Sequence, residues 1–230
     1  MTEETLEPRT IKDVVRKCIP RFLLQQRGIV RRLGPRAGRI YAGLRFRDVL
    51  GIHAENQRMA PPTARSFVFV CFGNIMRSAM AEFLMRKALK EVPPEKLQHI
   101  RIVSAGLHAN PGREAHPWMQ EAASGLEVSL ATHRAKLLTR EMVEAADAIL
   151  AMDFQNKAEL LTLYPDAAHK IYMLSAYAEG PWKYREIPDP YLGDLEVTRH
   201  CAGQLEICIH NLLKATVFAS GEKRLLTKNP

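Results

Sequence analysis

Cys71, Arg77 and Ser78 fall in the run VFVCFGNIMRSAMAE, residues 68–82, in the order C-x5-R-S. A buried apolar strand has no use for these residue types, whereas a site that captures an oxyanion uses all three. The thiolate form of cysteine is the nucleophile, and a helix N-terminus with an adjacent cation lowers a thiol pKa from about 8.5 to roughly 3.5–7.5. Arginine offers a planar fork of donors that fits two phosphate oxygens. It grips them better in a trigonal-bipyramidal transition state than in the tetrahedral ground state. Ser78 can donate its hydroxyl to the Cys71 sulfur and stabilise it again as a leaving group. The intervening Phe72, Gly73, Asn74, Ile75 and Met76 complete a loop. Gly73 and Asn74 tolerate left-handed backbone, so the segment can curl until successive N–H groups converge as an anion-binding nest. The helix starting near Arg77 adds its positive end. A doubly charged phosphate would be held there with no metal and no cofactor. Neither G-x-x-x-x-G-K-[ST] nor G-x-G-x-x-G occurs at this position, so the usual nucleotide loops do not apply. An isolated cysteine is more simply a core residue; the spacing and the strand-to-helix junction select the functional reading.

The elements that must position this loop alternate between strand and helix. SFVFVC and DAILAM read as buried strands, HIRIVSAG as a strand stopping at Gly106, and KIYML as a short strand. AMAEFLMRKALKEV, PGREAHPWMQEAAS, TREMVEAA opened by Thr139, DFQNKAELLTLY capped by Asp153, and VTRHCAGQLEICIHNLLKA read as helices. Such alternation predicts a mostly parallel sheet covered on both faces, with ligands outside the C-terminal ends of the strands. Cys71 sits at such an end.

The loop CFGNIMRSAMAE, VSAG at 103–106, THRAKLLTREM at 132–142, DAILAMDFQNKAELL at 147–161 and PDPYLGD at 188–194 together resemble the low-molecular-weight protein tyrosine phosphatases, in the family's order. The resemblance covers nearly all of residues 66–220. It implies a flavodoxin-like four-stranded parallel sheet and a two-step hydrolysis of phosphotyrosine through a phosphocysteine. It also implies that Asn74, Ser78, Ser104 and His133 form a hydrogen-bond network supporting the loop, and that Asp189 is the general acid. Chemistry agrees on Asp189: a phenolate leaving group needs a proton and the phosphocysteine needs an activated water, so one carboxyl serves as acid and then as base. Pro188 and Pro190 stiffen its backbone, and Tyr191 can wall a substrate ring. His133 is most simply a structural hydrogen-bond partner.

Three departures from the family's pattern matter. Met76 stands where many members carry a second cysteine, so a protective disulfide with Cys71 at that position is unavailable. Ala79 replaces the usual proline, and Leu192 a frequent second tyrosine. Ile75 is the choice of the tyrosine phosphatases, where relatives acting on phosphoarginine carry threonine. An arsenate reductase of the same fold would need Cys201 and Cys208 as a relay, yet seven residues on a helix separate them by about 10.5 Å along its axis, beyond disulfide reach. A silent phosphate-binding module is the remaining alternative, and intact Cys71, Arg77 and Asp189 argue against it.

The net charge of +8 is unevenly placed: residues 1–65 hold 14 Lys or Arg against 6 Asp or Glu, and residues 66–230 hold 19 of each. The turn-prone MAPPTAR marks the boundary, giving a basic, helical N-terminal extension over 1–65, a catalytic domain over 66–220 and a tail over 221–230. Ile11, Val15, Cys18, Phe22, Ile29 and Leu33 lie near one helical face interrupted by Pro20 and Gly28, so two or three short helices are expected. The apolar set Ile40, Tyr41, Leu44, Phe46, Val49, Leu50 and Ile52 is too rich for a free linker. The extension could contact the catalytic domain, an acidic partner or an anionic membrane surface; with its basic residues interleaved with apolar ones and few aromatics to stack, nucleic acid is disfavoured. An acidic N-terminus, sparse cysteines and no apolar run of ~20 residues predict a cytoplasmic protein. The expectation is therefore a bacterial, metal-independent phosphatase, with a phosphotyrosine protein, such as a tyrosine kinase, as its partner.

Overall fold

The computed structural model describes residues 21–94, 97 and 100–218. Ile11, Val15, Cys18, Pro20 and the 221–230 tail lie outside them. Four strands, β1 (Ser66–Cys71), β2 (Arg101–Gly106), β3 (Ala148–Ala151) and β4 (Ile171–Met173), form one sheet in the order β2-β1-β3-β4. Every pairing is parallel, with Cys71 opposite Gly106 and Val70 opposite Ala151. The expected flavodoxin-like sheet is present. β1 is central and nearly all apolar, as a strand covered on both faces must be.

Side-chain alternation along β1 divides the interior in two. Phe67, Phe69 and Cys71 enter a core built with α2 (Arg77–Leu89), α3 (Pro117–Ser124) and α6 (Leu195–Leu213). Val68 and Val70 enter a second core with α1 (Arg21–Val49), α4 (Arg140–Ala145) and α5 (Phe154–Leu163). α3 is shorter than its sequence suggested: residues 111–116 are not helical, and His116 caps the helix ahead of Pro117 at its first position. Thr139, Asp153 and Asp194 accept hydrogen bonds from the first turns of α4, α5 and α6.

The extension also differs in detail. Gly28 does not interrupt α1; the break falls at Gly34, where φ is 74° ahead of Pro35, joining two helical segments across a kink. Ile29, Tyr41 and Leu44 are buried in the second core beside α5. Phe46, Val49, Leu50 and Ile52, expected to be apolar packing residues, are exposed. Between α1 and β1 the chain is pinned: Lys157 reaches Asn56 Oδ1 at 3.1 Å, and Tyr177 Oη accepts from Ala60 N–H at 2.8 Å. Burial pushes the Lys157 ammonium down to about 8. Among the described residues no helix is long and apolar enough to cross a membrane.

Candidate active site

Strand order 2-1-3-4 makes the C-terminal end of β1 the point where crossovers diverge, so a crevice opens there. Cys71 ends β1, and residues 72–76 turn back over the sheet edge before α2 begins at Arg77. Gly73 does not need its conformational freedom; Asn74 alone in the loop is left-handed, at φ 53°. Its side chain explains how the strain is carried. Asn74 Nδ2 donates to Ser78 Oγ and Ser104 Oγ, each at 2.9 Å, and Oδ1 accepts from Lys136 N–H at 2.8 Å. His133 Nε2 donates to the Asn74 carbonyl at 2.6 Å. Burial lowers the His133 pKa, the Asn74 carbonyl and Glu82 partly offsetting it, so the ring sits neutral with its proton on Nε2.

Cys71 Sγ receives Asn74 N–H at 3.3 Å and lies 2.9 Å from Ser78 Oγ. Both contacts can stabilise a thiolate. α2 opens without a side-chain cap, so its N-terminal amides are directed at the loop. Arg77 is 1% exposed. Its Nη1 donates to Asp153 Oδ2 at 2.6 Å and to the Ile187 carbonyl at 3.0 Å, and its Nη2 meets Asp189 Oδ2 at 2.8 Å. Burial alone would lower the Arg77 pKa, but Asp153, Asp189 and the Cys71 sulfur outweigh it and raise it above the ordinary arginine range. Arg77 Nε is buried with no acceptor among the described residues, a donor left for a ligand.

A cavity of about 230 Å³ collects these groups: Cys71, Phe72, Gly73, Ile75, Met76 and Arg77 from the loop, His108, Asn110 and Arg113 from the segment after β2, and Asp189 with Tyr191 from the Pro-bounded segment. Phe72 stacks on His108 with centroids 4.6 Å apart, and Tyr191 meets His116 edge-on at 5.7 Å. The mouth is therefore aromatic, with Arg113 as a cation on its rim. Ser104 and His133 stand behind the loop and do not line the cavity. Leu192 is 94% exposed and does not line the cavity.

Sequence reasoning missed several members. Glu82 accepts from Ser104 N–H at 2.9 Å and from Ser104 Oγ at 2.5 Å, anchoring the network one turn beyond Ser78. Its signal was a carboxylate four residues after Ser78 on the buried face of a helix. Asp153 was read as a cap only; Oδ1 does cap α5 through Asn156 N–H at 2.7 Å, and Oδ2 holds Arg77. Asn110, His108 and Arg113 carried no local signal, and Gly106 was legible as a strand end without its place beneath the loop. Cys201 and Cys208 are buried in α6, and burial pushes both thiols up to about 12. They are core packing residues, Cys201 Sγ lying 3.8 Å from the Pro188 carbonyl.

Residues 66–222 match the family model described as low molecular weight phosphotyrosine protein phosphatase. A protein-arginine-phosphatase of Bacillus subtilis is 31% identical over 64% of this chain and 93% of its own length. The Escherichia coli K12 low molecular weight protein-tyrosine-phosphatase Etp is 32% identical over 64% of this chain and 92% of its own. Among solved structures, the Erwinia amylovora tyrosine phosphatase amsI superposes with TM-score 0.59 at 28% identity, covering 67% of this chain and 94% of that one. A mutant YwlE arginine phosphatase structure with a phosphorylated active-site serine superposes at 0.58 and 29%, covering 71% of this chain and 97% of that one. The matched span takes in more than half of the chain and every residue that lines the cavity, and the chain belongs to the low molecular weight phosphotyrosine protein phosphatase family.

Proposed function

We propose that this chain hydrolyses phosphotyrosine in proteins through a phosphocysteine on Cys71. The observation that carries the reading is the convergence of the Cys71 sulfur, Arg77 and Asp189 on one cavity, with the Arg77–Asp189 pair at 2.8 Å. Cys71 Sγ attacks phosphorus as the P–O bond to the tyrosine ring breaks, and Asp189 protonates the departing phenolate. Asp189 then takes a proton from the water that cleaves the S–P bond, releasing phosphate and the thiolate, which Ser78 and the Asn74 amide stabilise. Phe72, Gly73, Asn74, Ile75 and Met76 supply the loop backbone, and Arg77 Nε and Nη2 take two equatorial oxygens, the phosphate replacing Asp189 on Nη2 so that this carboxyl is free to carry the proton, while Asp153 keeps the guanidinium plane fixed through Nη1. Ser104 and His133 hold Asn74 in its left-handed turn, and Tyr191 and Phe72 wall the ring. The catalytic unit occupies 66–220, and within the extension 1–65 the described residues pack against it through Ile29, Tyr41 and Leu44.

The B. subtilis relative makes phosphoarginine the second reading. The aromatic mouth and Ile75 favour an aryl ester. Matched phosphotyrosine and phosphoarginine peptides separate the two: a higher kcat/KM on the phosphoarginine peptide would reverse the assignment. Hydrolysis of an aryl phosphate in chelator tests the activity itself. Cys71→Ser should abolish turnover while vanadate still binds, and residual hydrolysis by this variant would remove Cys71 from the mechanism. Asp189→Asn should cost ~10² to 10⁴ on a poor leaving group and less on an activated one. A silent phosphate-binding module would show no turnover in the unaltered chain.

A further inference from the structure

The segment bearing Asp189 is tied to α1, an element outside the family's matched span. Arg45 Nη2 meets Glu186 Oε2 at 2.5 Å, and the two side chains are only 26% and 16% exposed. The other oxygen of Glu186 accepts the Phe154 N–H at 2.8 Å, the first amide of α5 after Asp153. Ile187 then donates its N–H to the Met152 carbonyl at 2.8 Å and offers its own carbonyl to Arg77. Residues 186–187 are thus laced to 152–154, and both strands of the lacing hold Arg77. Asp189 comes two residues later, beyond Pro188.

Arg45 is itself held. Its Nε donates to Tyr41 Oη at 3.1 Å, Tyr41 pairs with Gln26 of the same helix, and its guanidinium lies 5.3 Å over the Phe154 ring. Burial pushes the Glu186 carboxyl up to about 7, Asp153 and Asp48 adding to the rise, while Arg45 and the Phe154 amide pull it down. Loss of the guanidinium would leave Glu186 buried with no cation beside it, and whether it stays charged or takes a proton, the charged tie from α1 to residue 186 is gone.

We propose that Arg45 is a positioning residue for proton donation: through Glu186 the N-terminal helix holds the 186–189 segment so that Asp189 meets the leaving oxygen. The extension is in this sense a part of the acid-catalytic machinery. The inference rests on the phosphatase reading above. It predicts a selective loss, because chemistry on an acidic leaving group needs little protonation and chemistry on a basic one needs much.

The test uses the full chain with Arg45→Ala, Arg45→Lys and Glu186→Gln, measuring kcat/KM on phenyl phosphate and p-nitrophenyl phosphate and the inhibition constant of inorganic phosphate. Arg45→Ala should lose about tenfold or more on phenyl phosphate and under about threefold on the nitrophenyl ester, a part of the full effect of removing an acid. The phosphate inhibition constant should rise by less than the phenyl phosphate rate falls, since Asp153 still holds Arg77 when the Ile187 carbonyl shifts. Arg45→Lys should recover most of the loss and Glu186→Gln should reproduce it. An unchanged ratio between the two esters in Arg45→Ala overturns the proposal, whether or not the melting temperature falls, because a purely structural role lowers both rates together. If Arg45→Ala does not fold, Arg45→Lys and Glu186→Gln decide by the same ratio. An unaltered chain inactive on both esters would instead sink the phosphatase reading, and this proposal with it.

Discussion

At Gly106 the absence of a side chain lets the loop close onto the sheet edge. A Cβ there would lie 2.7 Å from the Phe72 carbonyl, 2.8 Å from Asn74 N and 2.9 Å from Gly73 C, all backbone atoms that cannot swing aside. Gly106→Ala should therefore leave the sheet intact, by circular dichroism, yet weaken inorganic phosphate binding more than about tenfold, since backbone displacement of an ångström misplaces every donor at once. Unchanged phosphate affinity would show that the loop's shape does not depend on this contact. Cys71, Arg77, Ser78, Asn74 and Asp189 were legible because spacing along one loop, or a motif, reports them. Glu82 acts by holding Ser104 of β2, and Asp153 and Gly106 act on the loop from other elements, so the pairing of β1 with β2 and β3 is what completes these contacts. A residue whose partner lies 76 positions away, as Asp153 does from Arg77, leaves no periodicity to read.

At the scale of the element, α1 shows what composition does and does not convey. Apolar richness over 40–52 signalled a packed segment, and packing occurs, but only through the residues that share a helical face with α5. Leu44 is 5% exposed and Phe46, two residues on, is 66% exposed. Leu44→Ala should cost about 2–5 kcal/mol, and Phe46→Ala should stay within about 0.5 kcal/mol, because only the first opens a cavity. Chemical denaturation of the two variants checks this; equal effects would mean that α1 does not dock through that face. Gly28 and Gly34 look alike in the sequence. Their neighbours separate them: Pro35 bars the ordinary helical conformation to its predecessor, so the kink falls at Gly34. The parallel sheet itself was readable, since strand and helix alternate with clear boundaries, whereas α3 was overread because Pro111 and Pro117 both suit a first helical turn and only the second is used.

Across the whole molecule, one strand joins two cores: β1 sends Phe67, Phe69 and Cys71 to one side and Val68 and Val70 to the other. The candidate site draws on both, with Ser78 and Glu82 from α2 on the first side and Asp153 from the start of α5 on the second. Neither side can loosen without moving a ligand of Arg77. The basic surplus of residues 1–65 does not set this extension apart from the rest, because Arg45 and Lys157 knit the two together. Unfolding should then be a single cooperative event despite the size of the chain. The two tryptophans, Trp118 in α3 and Trp182 beside His200 of α6, report the first side, while far-ultraviolet circular dichroism also reports α1 and α5 on the second. Fluorescence and dichroism should give coincident denaturation midpoints, and Leu44→Ala, a change on the second side, should lower both by the same amount. A fluorescence midpoint untouched by Leu44→Ala, with a separate early phase in dichroism, would show that α1 unfolds alone and that the sheet does not transmit its loss to the other face.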